Sequence, residues 1–366
     1  MILRDKLLFT PGPLMTSPSV KQAMLRDAGS WEADFNAIVA AAREDLLRLA
    51  GVSRSKGWEA VLMQGSGTFG VEAVFQTCVP ASGKVAVLVN GAYGERIVEM
   101  LRCARIDHVA VRGAEDEPND PRALEAALAA DSAITHVAMV HCETTTGILN
   151  PIEAVGLMAR DRGKIFIVDA MSSFAGLPID LEACGIDFLI SSSNKCIEGT
   201  PGFSFVIAKR AALFANEGHA RSLSLDLAAQ LRGFERNGKF RYTPPTQVIL
   251  AFVQALKELD EEGGVCQRHR RYCRNHQVLH AGMRRLGFQS YLKPEALSPI
   301  ITTYLYPSAD FNFDQFHARL SDRGFVIYPG KLTKVDTFRI ATIGHLFPAD
   351  FELLVAAMEL TLREIS

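Results

Sequence analysis

Short apolar runs alternate with amphipathic segments between residues 59 and 208. The runs have the length and the β-branched content of buried strands, and they lie at 59–63, 84–89, 134–140, 165–168, 186–190 and 203–208. Between most of them, apolar residues recur at helical spacing, at 68–78, 94–104, 121–130 and 152–162. This alternation predicts an α/β fold with a large, mostly parallel sheet that helices cover on both faces.

The pattern is different on either side of this region. Two helical patterns precede it, at 17–28 and 34–50. Long helices and short strands follow it, at 246–262, 266–286, 299–305, 312–323, 337–341 and 349–364. We therefore predict a large domain over 16–255 that carries the sheet, and a smaller α+β domain built from 1–15 and 256–366.

The composition is that of an ordinary globular protein and argues against several other classes. Of 366 residues, 48% are hydrophobic and 22% are charged, and the formal net charge is −2. This balance argues against a nucleic-acid partner, and we interpret the basic run Arg268–Arg271 as a solvated helix face. No apolar stretch reaches the ~18 residues of a membrane span, and the charged N-terminus lacks the apolar region of a signal peptide. Seven scattered cysteines indicate reduced thiols and a cytoplasmic location.

One lysine stands among small polar residues at the exit of a predicted buried strand. The strand at 186–190 is followed by Ser191–Cys196, with the sequence SSSNKC, and then by turn-forming residues at 198–202. Sheet proteins keep much of their chemistry in loops and at strand ends. Because partial burial lowers the pKa of a lysine, Lys195 is a candidate amine nucleophile. An ordinary solvated lysine is the alternative.

A glycine-rich loop follows the first strand and begins a helix. Gly65–Gly70, with the sequence GSGTFG, fits the G-x-G-x-x-G pattern of dinucleotide-binding proteins. That pattern needs an acidic residue near the end of the next strand to bind the ribose. The next strand ends at Val89, and Asn90 and Gly91 follow it. The loop therefore suits a single phosphate monoester, bound by backbone N–H groups and the helix dipole; a simple glycine turn remains the alternative.

A carboxylate stands at the end of another predicted strand. Asp169 closes the apolar run at 165–168, where a buried charge is costly unless it is paired. The carboxyl ends of parallel strands meet at one edge of a sheet, so the loop, Asp169 and Lys195 are expected to lie close together. A phosphate site, a carboxylate and a lysine amine are the groups that pyridoxal phosphate requires.

Two other motifs suggest chemistry that the rest of the chain does not support. Ser192–Lys195 matches the S-x-x-K motif of serine acyl-enzymes, but the companion S-D-N and K-T-G elements do not occur. Cysteines and histidines cluster in one predicted helix, at Cys266, His269, Cys273 and His276. They would span about 15 Å of helix, whereas zinc ligands converge within ~2.3 Å of the ion. We predict no metal site.

Several further segments occur in a characteristic order along the chain. They are Phe9–Pro13 (FTPGP), Gly65–Thr68 (GSGT), Asn90–Arg96 (NGAYGER), His141–Gly147 (HCETTTG), Asp169, Lys195, Tyr242–Pro245 (YTPP) and Phe338–Ile340 (FRI). Together they resemble the class V branch of the fold-type-I pyridoxal phosphate aminotransferases, from residue 9 to beyond residue 340. The resemblance implies the fold of that family, with the cofactor in the large domain.

The resemblance also implies roles for individual residues toward the cofactor. Lys195 would form the Schiff base and move the proton, and Asp169 would keep the pyridine nitrogen protonated. Tyr93 would stack on the pyridine ring of the cofactor, and Thr145 would lie near the phenolic oxygen of the cofactor. The phosphate would be bound by Ser66, Gly67 and Thr68 of the same subunit, by Asn194, and by Tyr242 and Thr243 of the partner in a homodimer.

The substrates implied by the resemblance are an amine donor and a 2-oxo acid acceptor. Arg339 would bind the acid group of each, because a guanidinium forms a bidentate pair with a carboxylate or a phosphonate. The Pro11–Pro13 loop, with Pro11 and Gly12, would contribute backbone donors to the same acid groups. The segments around Cys142 and Cys196 are most similar to those of enzymes that move the amino group of 2-aminoethylphosphonate to pyruvate. Serine–pyruvate or alanine–glyoxylate transfer is the alternative.

Overall fold

The computed structural model describes residues 5–332 and 335–365. Residues 1–4, 333–334 and 366 of the predicted smaller domain lie outside the described residues. The strands are β1 (Leu7–Leu8), β2 (Trp58–Gln64), β3 (Lys84–Val89), β4 (Asp107–Arg112), β5 (Ile134–Val140), β6 (Cys142–Glu143), β7 (Ile148–Leu149), β8 (Ile165–Asp169), β9 (Phe188–Ser192), β10 (Phe203–Lys209), β11 (Ile301–Leu305), β12 (Phe325–Val326), β13 (Tyr328–Pro329) and β14 (Thr337–Ala341).

The helices cover both faces of the sheet and form most of the C-terminal part. They are α1 (Pro18–Ala23), α2 (Ala33–Leu49), α3 (Gly67–Cys78), α4 (Ala92–Cys103), α5 (Pro121–Ala130), α6 (Ile152–Asp161), α7 (Arg210–Phe214), α8 (Leu227–Asn237), α9 (Thr246–Glu261), α10 (Gly264–Arg285), α11 (Phe313–Asp322) and α12 (Pro348–Ile365). Within the described ranges, no helix is both long enough and apolar enough to cross a membrane.

The central sheet has seven strands in the order β2-β10-β9-β8-β5-β3-β4. β10 is antiparallel to both of its neighbours, and the other strand pairs are parallel. The predicted α/β fold with a mostly parallel sheet is therefore confirmed. Val140 of β5 pairs with Asp169 of β8, which in turn pairs with Ile190 of β9. These three strands therefore end side by side.

The predicted strands agree with the observed strands to within two residues, but β4 of the central sheet and the two-residue strands β1, β6, β7, β12 and β13 were not predicted. β4 lies at the edge of the sheet, and its residues are exposed or half-buried from Asp107 to Arg112. Edge strands bury little of their surface and often carry charges, so β4 lacks the apolar run that marks the central strands.

The described residues form two hydrophobic cores. One surrounds the seven-stranded sheet. The other is rich in phenylalanine: the ring centroid of Phe9 is 5.0 Å from that of Phe351, and the centroid of Phe288 is 5.3 Å from that of Phe338. β1 pairs with β12 and so ties the N-terminal segment to this second core. We propose that the two cores mark the two predicted domains.

The prediction that the basic run Arg268–Arg271 forms a solvated face of its helix is wrong. Arg268 and Arg271 are not on a solvated face but are 2% and 8% exposed. Both pair with Glu198 and Glu262. A buried guanidinium is tolerated when its charge is paired and its donors are satisfied. The sequence of the helix alone does not reveal a carboxylate that comes from a distant loop.

Candidate active site

A cavity with an empty volume of about 470 Å³ opens at the carboxyl ends of β5, β8 and β9. Seven of the side chains that line it carry hydroxyl or charged groups suited to binding or chemistry: Thr68, Tyr93, Arg96, Thr144, Asp169, Ser172 and Lys195. Since a crevice at the strand ends is the usual binding site of an open α/β sheet, this cavity is the candidate active site.

Lys195 lies three residues beyond the end of β9 and projects toward the N-terminal segment. Its Nζ donates a hydrogen bond of 2.6 Å to the carbonyl oxygen of Pro11. Gly12 has a φ of +131°, and a Cβ at that position would lie 2.6 Å from Lys195 Nζ. Glycine therefore makes room for the amine. Desolvation lowers the pKa of Lys195, which increases the neutral, nucleophilic fraction.

Asp169 is buried at the last position of β8. Its Oδ1 accepts a hydrogen bond of 2.9 Å from the backbone N–H of Met171. Desolvation raises the pKa of this carboxyl to about 6, and the charge of Glu143 acts in the same direction, against the Met171 bond and the charge of Lys195. A nearby cation would stabilise the ionised form of this buried carboxyl. The protonated nitrogen of a pyridine ring is such a partner.

The N-terminus of α3 faces the same cavity. Ser66 precedes the helix as an exposed residue, and its side chain makes no capping hydrogen bond there. A Cβ at Gly67 would lie 2.2 Å from Sδ of Met171, so a larger residue at this position would require the Met171 side chain to move. Nη1 of Arg96 donates a hydrogen bond of 3.5 Å to Oγ1 of Thr68. Helix N–H groups, a hydroxyl and a guanidinium together suit a phosphate group.

Tyr93 lies in the first turn of α4, which a buried carboxylate caps. Glu143 Oε2 accepts hydrogen bonds from the backbone N–H of Tyr93 at 3.1 Å and of Gly94 at 3.3 Å. A Cβ at Gly91 would lie 2.4 Å from Cδ of Glu143. The guanidinium carbon of Arg96 is 4.8 Å from the centroid of the Tyr93 ring. Glu143 therefore fixes the turn that presents the Tyr93 ring to the cavity.

Thr145 lies close to the site, but its hydroxyl is used elsewhere. It donates a hydrogen bond to Glu143 and accepts one of 3.3 Å from the N–H of Ala92. The preceding residue, Thr144, lines the cavity and helps to lower the pKa of the Tyr93 phenol, against desolvation. In this chain Thr144 is therefore better placed than Thr145 to contact a cofactor.

Arg339 lies on β14, where it is 3% exposed. Its Nε donates to the carbonyl of Pro329 and one Nη to the carbonyl of Thr144, both at 3.0 Å. Desolvation lowers the pKa of Arg339, and the charge of Tyr93 acts in the opposite direction. None of the ion pairs found in the described residues involves Arg339. A guanidinium held by carbonyls and left without a counter-ion is suited to bind an anionic ligand.

The remaining predicted phosphate ligands lie farther from the cavity. Asn194 is half-buried, and its Oδ1 accepts a hydrogen bond of 3.1 Å from Ser192 Oγ. Tyr242 and Thr243 are exposed and do not line the cavity of their own chain. Gln64 Nε2 donates to the carbonyl of Tyr242 at 2.8 Å, so this segment lies beside the strand that leads into the glycine-rich loop.

An ion cluster supports the segment behind Lys195. Glu198 has a φ of +67°, and its N–H donates to the carbonyl of Lys195 at 2.7 Å. Its Oε1 accepts hydrogen bonds of 2.7 Å from Arg271 and from Tyr272. Arg268 donates to the carbonyl of Cys196 at 2.6 Å. Helix α10 therefore holds the lysine segment through buried charges.

Sequence analysis missed three residues beside the cavity: Arg96, Glu143 and Thr144. Arg96 lies three positions after Tyr93, and this helical spacing could have placed both on one face. Glu143 and Thr144 lie in a segment that the family resemblance already included, but nothing in the sequence indicates which of its side chains face the cavity.

The family model of the class-V aminotransferases matches residues 18–325. The chain belongs to the class-V aminotransferase family. Similar proteins include two named 2-aminoethylphosphonate–pyruvate transaminase. The protein from Syntrophobacter fumaroxidans is 53% identical over 359 residues, which is 96% of this chain and 95% of the relative. The protein from Salmonella heidelberg is 52% identical over 361 residues, which is 98% of each.

Solved structures of lower identity show the same fold. The crystal structure of an alanine–glyoxylate aminotransferase from Nostoc sp. matches this class-V aminotransferase with a TM-score of 0.92 at 24% sequence identity, over 99% of this chain and 96% of that chain. The predicted family and fold are thus confirmed.

Proposed function

We propose that this class-V aminotransferase transfers the amino group of 2-aminoethylphosphonate to pyruvate, giving phosphonoacetaldehyde and L-alanine. The observation that carries the proposal is 52–53% identity, over nearly the whole chain, to proteins named for this activity. The buried, unpaired guanidinium of Arg339 supports it, because both the donor and the acceptor carry an acidic group.

The residues around the cavity fit pyridoxal phosphate, the cofactor of this family. The cofactor supplies an electron sink for the carbon that carries the amino group. The amine of Lys195 faces the cavity that Asp169 lines with a carboxylate in need of a cation. The N-terminus of α3, with Thr68 and Arg96, offers donors to a phosphate. The Tyr93 ring provides a surface for stacking.

Proton transfer is the task we assign to Lys195 Nζ. A lowered pKa increases the neutral fraction of the amine, which could then accept a proton from the substrate carbon and pass it to the carbon of the cofactor that carries the amino group. The hydrogen bond from Nζ to the Pro11 carbonyl gives the amine a defined position. Pro11 thus contributes a carbonyl acceptor for the lysine, and Gly12 contributes the space that the amine occupies.

Arg339 is the residue we assign to the acid group of both substrates. Its Nε and Nη1 donate to carbonyls, which hold the guanidinium in place, and Nη2 makes no hydrogen bond within the described residues. The same guanidinium can bind a phosphonate in one half-reaction and a carboxylate in the other.

We also propose a homodimer in the cytoplasm with composite active sites. Tyr242 and Thr243 would reach the phosphate of the partner's cofactor. Their exposure supports this assignment, as do the exposed side chains of Trp31 and Leu223, at 77% and 76%, since large exposed apolar groups mark interaction surfaces. The cysteines of the described residues are free thiols, as is usual in the cytoplasm.

The direct test is product analysis by ³¹P and ¹H NMR. Purified enzyme with pyridoxal phosphate, 2-aminoethylphosphonate and pyruvate should give equal amounts of phosphonoacetaldehyde and L-alanine. Omission of pyruvate should limit product to one equivalent per active site. If L-serine with pyruvate, or L-alanine with glyoxylate, reacts while the phosphonate does not, the alternative from the sequence is correct instead.

A further inference from the structure

We propose that Lys331 determines specificity for a dianionic donor by binding the distal phosphonate together with Arg339. The inference rests on the proposed function and names a second cation for the same substrate group. Lys331 belongs to none of the motifs that carry the family resemblance.

Lys331 is directed to the aromatic ring at the mouth of the cavity. Its Nζ donates a hydrogen bond of 3.3 Å to the phenolic oxygen of Tyr93 and lies 5.0 Å from the centroid of that ring. The guanidinium of Arg339 lies close enough to the Tyr93 side chain for that tyrosine to raise the pKa of Arg339, against desolvation. The ammonium and the guanidinium therefore converge on one phenol, which itself faces the cavity.

Backbone contacts of the neighbouring residues fix the position of Lys331. The N–H of Gly330 donates to the carbonyl of Thr337 at 2.8 Å, and a Cβ at Gly330 would lie 2.0 Å from Thr337 Oγ1. β13 pairs with β14, with Pro329 opposite Phe338. Lys331 thus leaves the strand beside the one that carries Arg339, and the two cations come from adjacent strands of one small sheet.

The charges around Lys331 and Arg339 favour the binding of an anion between them. Among residues 5–332 and 335–365, the contacts of Lys331 are with Tyr93 and not with a carboxylate. Its charge contributes to lowering the pKa of both Tyr93 and Lys195, which places it within electrostatic range of the reacting amine. Two cations match the two charges of a phosphonate, whereas a carboxylate needs only one.

The test is equilibrium binding of two unreactive anions to the holoenzyme, measured by calorimetry. At a pH above its second ionisation, ethylphosphonate carries the distal dianion without the amine, and propionate carries a single charge. Lys331→Gln should raise the dissociation constant for ethylphosphonate roughly 10- to 50-fold and change that for propionate much less. Lys331→Arg should recover part of the affinity, and added salt should reduce the difference.

Lys293→Gln is the matched control, because it removes the charge of another exposed lysine. Equal weakening of both anions in Lys331→Gln would overturn the proposal, and so would no weakening of either. The proposed function fails in a different way: the wild-type enzyme would then form no alanine from 2-aminoethylphosphonate and pyruvate, whatever the behaviour of the variants.

Discussion

Burial shifts the pKa of Lys195 and that of Asp169 in opposite directions. It lowers the pKa of the Lys195 amine and raises that of the Asp169 carboxyl to about 6. In both cases the neutral form gains because a charge loses its water. A pyridinium nitrogen bound to Asp169 would restore the ionised carboxylate, so the cofactor and the site stabilise each other's charge.

Removal of the Arg339 side chain should impair substrate binding but leave cofactor binding intact. Truncating one partner of a buried charge pair costs ~2–5 kcal/mol. Arg339→Ala should therefore lose roughly 30- to 5,000-fold in both half-reactions. It should still bind pyridoxal phosphate, since Arg339 does not line the cofactor cavity.

The measurement is stopped-flow absorbance of each half-reaction, with 2-aminoethylphosphonate and then with pyruvate. Arg339→Lys should recover little, because a point charge does not reproduce the guanidinium fork. Loss of only one half-reaction in Arg339→Ala would show that the two acids are bound at different places.

At the scale of elements, the segment after β9 depends on a helix far along the chain. The carboxylate of Glu198 forms ion pairs with Arg268 and Arg271 of α10. Desolvation opposes its ionisation, but these arginines and His345 hold the pKa of Glu198 down, at about 2. Because the folded-state pKa is depressed, the cluster contributes stability above pH 4.5, the ordinary value of a glutamate, and this contribution is lost as the pH falls toward 2.

Glu198→Gln should destabilise the protein by about 3–5 kcal/mol at pH 7, because it removes the more deeply buried of the two carboxylates that Arg268 and Arg271 share. The difference from wild type in the free energy of unfolding should shrink between pH 4.5 and 3. Urea unfolding at several pH values measures it. Glu125→Gln, which removes an exposed partner of Arg162, serves as the control. A difference that does not change with pH would contradict the assignment of this charge.

The elements were largely predictable, whereas the contacts between them were not. Apolar periodicity located the central strands because each is buried on both faces. Asp169 and Lys195 could be assigned because each directly follows such a strand. Lys331 could not, since it meets Tyr93 across 238 residues of sequence. The cluster around Glu198 was missed for the same reason: charge patterns along one helix do not show what packs against it.

At the scale of the whole molecule, the predicted partner contact determines how the active sites are composed. Tyr242 is 44% exposed and is assigned to the other subunit's phosphate. In a mixed dimer of a Lys195→Ala chain and a Tyr242→Phe chain, one site would carry both substitutions and the other neither. Part of the activity should therefore return on mixing two weakly active homodimers, up to about half per mixed dimer.

Activity at limiting pyridoxal phosphate, measured after subunit exchange, tests this prediction. Each homodimer incubated alone is the control. If mixing restores nothing although subunits exchange, or if a stable monomer is fully active, the composite site does not exist.

A single-turnover comparison of amine donors tests the central claim most directly. The holoenzyme is mixed separately with 2-aminoethylphosphonate, L-alanine, L-serine and L-phosphoserine, and the change in cofactor absorbance is followed. Our account predicts that 2-aminoethylphosphonate reacts fastest, that L-alanine reacts as the reverse of the pyruvate half-reaction, and that pyruvate outperforms glyoxylate as acceptor. Faster reaction with L-serine than with the phosphonate, together with a preference for glyoxylate, would contradict it.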